Sequence, residues 1–312
     1  MDADDFDRMQ RRLYAQRGLA ATSRTVELRE PRVRVHVTEV GRGDPVILVH
    51  GGNSVAASWL PLVERLAYRF RLVLPDRPGC GMTGPFDYRG VDLRRHGAAF
   101  IAGLMDGLGL DRAALAGNSM GGYFALAFAI AHPERVSRFV LLGEPAGSSE
   151  RAPLFHRLVG TRGLNTVLYA TALRPPRDAA GLRRAWGRAR LVADADRVPE
   201  DLAACLAAGA RLPGATRSWT TMVERVFVPP GRGLFARELR ATRALGSELE
   251  GIICPVVLLW GSHDPLGAPD VGRALAERMP DARVIEVPDA GHLPWIDQPD
   301  ICAEAVRGVL AG

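Results

Sequence analysis

Residues 114–129 read ALAGNSMGGYFALAFA, and this stretch decides the fold. A short apolar run halts at Gly117, a lone hydroxyl stands at Ser119, and an Ala/Phe-rich helical pattern begins at once. Two readings compete. Either the glycines let a buried strand turn sharply into a helix that Ser119 merely caps, or the turn exists to hold Ser119 out as a nucleophile. So tight a turn forces the serine backbone into a strained conformation that only small neighbours tolerate, which accounts for Gly117 and Gly121. Gly122 then lets the helix approach the sheet closely. The helix that follows directs the positive end of its dipole at the same spot.

Working outward, PVILVHG from Pro45, RLVLPD from Arg71, AALAGN from Ala113, FVLLGE from Phe139 and PVVLLWG from Pro255 are short, continuous apolar runs. Strands covered on both faces read this way. Helical patterns separate them near 57–67, 90–108, 122–132 and 269–278. TVEL and VRVHVTEV, upstream, alternate apolar and polar side chains as half-buried antiparallel strands do. RVIEVP supplies a last strand, DICAEAVRGVLAG a closing helix, and residues 1–18 an amphipathic helix laid on the outside. The alternation predicts an α/β architecture: a mostly parallel eight-stranded sheet flanked by helices and wound with right-handed crossovers. It breaks over 147–245, an arginine-rich stretch without a convincing buried strand. That stretch is expected to be a helical cap inserted after strand 6, between core segments 1–146 and 246–312.

Composition excludes several classes. The chain has 312 residues, 47% of them hydrophobic, enough for a sizeable core. All 40 of its basic residues are arginine, and the net charge is +5. Acidic residues are interspersed with them, which argues against a nucleic-acid-binding face. Cys80, Cys205, Cys254 and Cys302 are far apart and read as apolar fillers in a reducing compartment. The amino terminus lacks the apolar core of a secretory signal, and no window is apolar enough for a membrane span. The expected location is the cytoplasm, with no membrane partner. Histidine and cysteine spacing points to no metal, and no cofactor is implied.

A serine hydroxyl needs a base. His292, in DAGHLPW directly after the last strand, is the candidate. His36 lies inside a strand and His132 precedes a proline. His96 and His156 fall in segments where surface placement is expected. His50 and His263 sit at strand ends, but His50 belongs to a His-Gly-Gly turn whose glycines suit another job. The base in turn needs an orienting acid. Asp264, in WGSHDPL after strand 7, is preferred; Glu144, in LLGEPAG after strand 6, is the alternative. The oxyanion donors are expected to be the backbone N–H groups of Gly52 and Met120. Asn53, Trp59 and Trp295 are candidate pocket residues, while Trp186, Trp219, Phe227 and Phe235 either wall a pocket or pack the cap onto the core.

HGG at 50–52, DRPGCG at 76–81, GNSMGG at 117–122, WGSHD at 260–264 and GH at 291–292 resemble, in order and spacing, the α/β-hydrolase family. The resemblance implies a Ser–Asp–His triad on that family's fold. A serine rather than an aspartate at 119 sets the chain apart from haloalkane dehalogenases and epoxide hydrolases, and implies an acyl-enzyme. An esterase or lactonase acting on a fairly apolar small molecule is the first expectation. GNSMGG with HGG also resembles the meta-cleavage-product hydrolases, which cut carbon–carbon bonds in vinylogous diketo acids and generally carry more glycine and a proline after the first turn. From other classes, a hydrolase-like small-molecule receptor and a catalytically dead scaffold stay open. Neither a monomer nor a dimer is favoured.

Overall fold

The computed structural model describes residues 2–148, 154–226 and 246–311. Eight strands form one sheet: β1 (Ala21–Leu28), β2 (Val33–Val40), β3 (Asp44–Val49), β4 (Phe70–Pro75), β5 (Ala113–Asn118), β6 (Val136–Leu142), β7 (Val256–Gly261) and β8 (Ala282–Val287). Their order across the sheet is β1-β2-β4-β3-β5-β6-β7-β8. The first two strands pair antiparallel, and β2 joins β4 antiparallel. Every later pairing is parallel. The five strands that read as continuous apolar runs all lie inside the sheet, beside the alternating β2, which sits between β1 and β4, and all six residues of both β5 and β7 are buried.

Apolar side chains fill both sides of the sheet. α4 (Ser119–Ala131) and α3 (Leu93–Leu108) share one side, where Phe100, Phe124, Phe128 and Phe139 are fully buried. Each such side chain contributes about 1.5–3 kcal/mol of burial free energy. On the other side, α2 (Leu60–Leu66) packs against the closing helix α12 (Pro299–Ala311). α10 (Pro269–Ala276) follows β7, and a single turn, α11 (Pro294–Asp297), precedes α12. The amphipathic helix α1 (Ala3–Ala15) is capped by Asp2, which accepts from Asp5 N at 2.8 Å. It buries Phe6, Leu13 and Tyr14.

Between β6 and β7 come five helices among the described residues: α5 (Leu154–Gly160), α6 (Leu164–Thr171), α7 (Ala179–Arg188), α8 (Glu200–Gly209) and α9 (Ala215–Val226). α8 packs on α1, and Arg17 beside α1 reaches both Asp201 on α8, at 2.7 Å, and Glu64 on α2, at 3.0 Å. Among the described residues no helix is long and apolar enough to cross a membrane.

Parallel register sets where the chemistry gathers. Val49 is level with Gly117, Gly117 with Leu141, and Leu141 with Leu258. The segments leaving β3, β5, β6 and β7 therefore emerge together at the carboxyl edge of the sheet, where open α/β sheets form their binding crevice.

Candidate active site

The β5–α4 turn has the strain the sequence predicts. Ser119 sits at φ 51°, a left-handed conformation that a non-glycine residue adopts only when its surroundings enforce it. Sterics leave no room for larger neighbours. A Cβ on Gly121 would lie 2.0 Å from Val49 O, and one on Gly117 2.8 Å from Gly121 O. Ser119 is partly exposed, whereas Asn118 and Met120 on either side are buried. Asn118 Nδ2 donates to Leu142 O at 2.6 Å and to His292 O at 3.2 Å. The residue before the serine thus pins the histidine's backbone to the same edge.

His292 is 3% exposed, and its Nδ1 lies 2.8 Å from Asp264 Oδ2. The same oxygen accepts from Glu144 N at 2.9 Å, and Oδ1 accepts from Leu266 N at 3.0 Å. Burial on its own favours neutral forms of both partners, but the charges outweigh it. The imidazole and the two backbone donors hold the Asp264 carboxyl below its ordinary value. Asp264, and at longer range Glu144, hold the His292 imidazole above its own. Of the two candidate acids, then, Asp264 bonds the ring; Glu144 supplies a peptide N–H to Asp264 and a through-space charge. His292 Nε2 is buried and makes no hydrogen bond among the described residues. Asp264 after β7 and His292 after β8 are thereby joined, with Ser119 at the end of β5, one strand beyond β6 along the same edge.

The turn after β3 abuts the nucleophile's turn: a Cβ on Gly51 would lie 3.2 Å from Ser119 Cβ. Neither Gly52 N nor Met120 N donates to another described residue, so both donors named from the sequence stay available. Trp219 on α9 lays its indole over Gly52, where a Cβ would lie 2.2 Å from Cζ3. The indole N–H donates to Tyr169 Oη on α6. Asn53, at φ 46°, borders with Trp219, Arg77 and Met222 a cavity of about 10 Å³, room for one water.

Other expectations shift. Trp59 and Trp295 are buried in the core, stacked at 4.3 Å, with Trp295 Nε1 donating to Ser58 O at 2.8 Å. They pack the sheet and do not border that cavity, because two flat indoles gain more from each other and from aliphatic neighbours than from facing a wet cleft. His96, expected at the surface, is 7% exposed among Phe86, Tyr88 and Phe124, whose rings hold it in the core. Trp186 is half-buried against the core. Phe227, Phe235 and the side chain of His156 lie outside the described residues.

Three residues at this edge carry roles that motif reading missed. Asn118 and Arg77 were within quoted motifs, but nothing in their spacing reveals which carbonyls they bond. The third, Asp297, is 4% exposed and joins two segments. Its Oδ2 accepts from Gly291 N and Ala193 N, both at 2.9 Å, and its Oδ1 from Asp194 N at 3.2 Å. Leu293 N also donates to Leu191 O at 2.9 Å.

This fold and this edge are those of a family. The chain belongs to the α/β-hydrolase family, whose fold model matches residues 44–299. Among similar proteins, the 2-hydroxy-6-oxononadienedioate/2-hydroxy-6-oxononatrienedioate hydrolase of Cupriavidus pinatubonensis is 30% identical, over 88% of this chain and 90% of that protein. Its counterpart in Burkholderia vietnamiensis is 31% identical over the same shares. Among solved structures, the 2-hydroxy-6-oxo-6-phenylhexa-2,4-dienoate hydrolase of Rhodococcus sp. strain RHA1 superposes with a TM-score of 0.74 at 22% identity, covering 94% of this chain and 100% of that one. Carboxylesterase CesB of Bacillus subtilis gives 0.72, also at 22% identity, over 99% and 98%. At such identities the superpositions speak for the fold alone.

Proposed function

We propose that the chain is a serine-dependent hydrolase. Ser119 attacks a carbonyl carbon, His292 Nε2 takes the hydroxyl proton, and Asp264 fixes the tautomer and balances the imidazolium. Gly52 and Met120 N–H groups receive the oxyanion. The observation that carries this reading is the 2.8 Å His292–Asp264 contact, with the opposite ring nitrogen unengaged at the edge where Ser119 is held in strain. An imidazole with one nitrogen committed to a carboxylate and the other open is a base awaiting its donor. The serine–imidazole bond, not made in the free chain, tightens when substrate arrives.

For the substrate we favour a 2-hydroxy-6-oxo-dienoic acid over the ester or lactone that the motifs first pointed to. Support comes from relatives 30–31% identical over about nine-tenths of both partners, which are named for such acids. Ser119 adds to the 6-oxo carbon. With the substrate in its 2-keto tautomer, the 2-hydroxyl proton having moved to C5, collapse of the oxyanion breaks the C5–C6 bond; the electron pair passes to the 2-oxo oxygen as a dienolate, which takes the proton that His292 carries and leaves the ring neutral. Water, deprotonated by His292, releases the acyl group as a carboxylic acid. An ester or lactone is the second reading, favoured by the turn HGGNSVAAS, which lacks the extra glycine and the proline that the carbon–carbon hydrolases generally show. In either case we take residues 147–245 as the cap that selects substrate. The buried free thiols of Cys205, Cys254 and Cys302 suit a reducing cytoplasm.

Wild type and Ser119→Ala should be assayed on a 2-hydroxy-6-oxo-dienoate, an aryl ester and lactones of several ring sizes. Turnover of the dienoate at a kcat/KM above that of the esters, lost in Ser119→Ala, is expected. Turnover of esters or lactones alone would overturn the substrate class. No turnover and no fluorophosphonate labelling of Ser119 would leave a receptor and overturn the enzyme reading.

A further inference from the structure

Arg77 is fully buried, yet among the described residues none of its bonds goes to a carboxylate. Its Nε donates to His50 O at 2.8 Å and its Nη2 to Gly51 O at 2.6 Å. Its remaining neighbours are soft: Met222 Sδ at 3.7 Å, Cys80 Sγ at 3.8 Å, and the Phe124 ring, whose centroid is 5.6 Å from the guanidinium carbon. Removing a charge from water costs several kcal/mol unless its partners are excellent. Merely closing a turn at a strand end does not require a buried charge.

His50 is equally committed. Its Nε2 accepts the backbone N–H of Arg77 at 3.0 Å, and its Nδ1 lies 2.9 Å from Gly51 O. A ring nitrogen that accepts cannot carry the proton, so the proton sits on Nδ1 and is donated to Gly51 O. Burial first, then the charge of Arg77, push the imidazole down to about 3, so the ring stays neutral and the tautomer holds across the physiological range.

Gly51 O therefore receives two donors, one from each side chain. A trans peptide is planar, and its C=O and N–H point in opposite directions, so fixing the oxygen of Gly51 aims the hydrogen of Gly52. The geometry points to Arg77 and His50 as positioning residues for the oxyanion site, holding the Gly51–Gly52 peptide with its N–H turned toward Ser119. This rests on the reading of Ser119 as nucleophile and Gly52 as donor. The guanidinium behind the carbonyl does a second thing: it polarises the amide and strengthens the N–H where negative charge develops. Two observations agree with it. Gly51 packs against Ser119, and Gly52 N–H has no acceptor among the described residues.

The test is the rate at which Ser119 is labelled by an alkyl fluorophosphonate and by its P=S analogue, in wild type, Arg77→Lys, Arg77→Met and His50→Gln. Loss of one whole oxyanion donor costs about 100- to 1,000-fold, so a misaimed one is expected to slow P=O labelling about 10- to 100-fold. The P=S probe, whose larger and softer sulfur gains little from N–H donors, should slow far less, and the P=O to P=S rate ratio should shrink. Arg77→Lys, which keeps charge but not the fork, should fall between wild type and Arg77→Met. A purely structural role would lower the melting temperature and leave the ratio unchanged in the folded fraction. A wild-type ratio in folded Arg77→Lys and His50→Gln would overturn the inference, and these two decide if Arg77→Met fails to fold. Wild type that is not labelled at Ser119 would instead overturn the serine reading on which it rests.

Discussion

Asp264→Asn separates the two candidate acids. The carboxylate takes three donors, His292 Nδ1 and Glu144 N on Oδ2 and Leu266 N on Oδ1. Asparagine has one acceptor oxygen and one NH₂, so it cannot serve all three. If its oxygen replaces Oδ2, the NH₂ confronts Leu266 N–H. If its NH₂ replaces Oδ2, it confronts Glu144 N–H and obliges His292 Nδ1 to accept, which places the ring proton on Nε2. Either way a backbone donor loses its Asp264 acceptor, at about 1–3 kcal/mol of stability where it is the buried Glu144 N–H and less where it is the part-buried Leu266 N–H. In the second arrangement the base is also the wrong tautomer, and in both the imidazolium loses its counter-charge. Loss of rate should reach about 1,000- to 10,000-fold, the scale seen when a triad acid becomes its amide. Glu144→Gln retains the peptide N–H that Asp264 accepts and leaves the His292–Asp264 contact in place, so less than about a 10-fold loss is expected. Fluorophosphonate labelling rates, read beside thermal melts, decide it. A large loss in Glu144→Gln with Asp264→Asn nearly intact would refute the reasoning.

The pH dependence of labelling checks the electrostatics. The base must be neutral to work, and His292 is held above its ordinary value, so the rate should climb with pH through a midpoint above about 6.5 and move to lower pH in Asp264→Asn, where burial is left unopposed by the carboxylate; a wild-type midpoint below about 6 would contradict it. Gly121→Ala drives a Cβ onto Val49 O and His50 O, both backbone, and should destabilise the fold by about 3 kcal/mol or more, read as a fall in melting temperature; a variant within about 0.5 kcal/mol of wild type would mean that the turn is looser than described.

Much of the architecture was readable because burial on both faces leaves a periodicity that is hard to mistake. AALAGN and PVVLLWG, continuous in apolar character, are interior parallel strands, and TVEL and VRVHVTEV, alternating, lie in the antiparallel ones. The elbow was readable because steric crowding at Gly117 and Gly121 admits one residue type. The expectation for Asp264 and His292 rests on position relative to strand ends, a feature that survives in one dimension, and the structure brings the two into contact. Side chains that meet across the chain leave no such trace. Nothing near Trp219 announces that its indole covers Gly52, 167 positions earlier by number, and nothing in DRPGCG says that Arg77 is buried. The tryptophans at 59 and 295 lie near the candidate site residues in sequence yet face the core, because adjacency along the chain does not fix which way a ring points.

Asp297 ties three peptide N–H groups from two stretches of chain, one carrying His292 and the other belonging to the segment between α7 and α8. A carboxylate with that many tethers behaves as a rivet. Were residues 191–194 to swing outward, they would draw the His292 loop with them. Residues 191–194 and the loop that carries His292 are thus held as one piece, so a substitution at Asp297 would loosen both together.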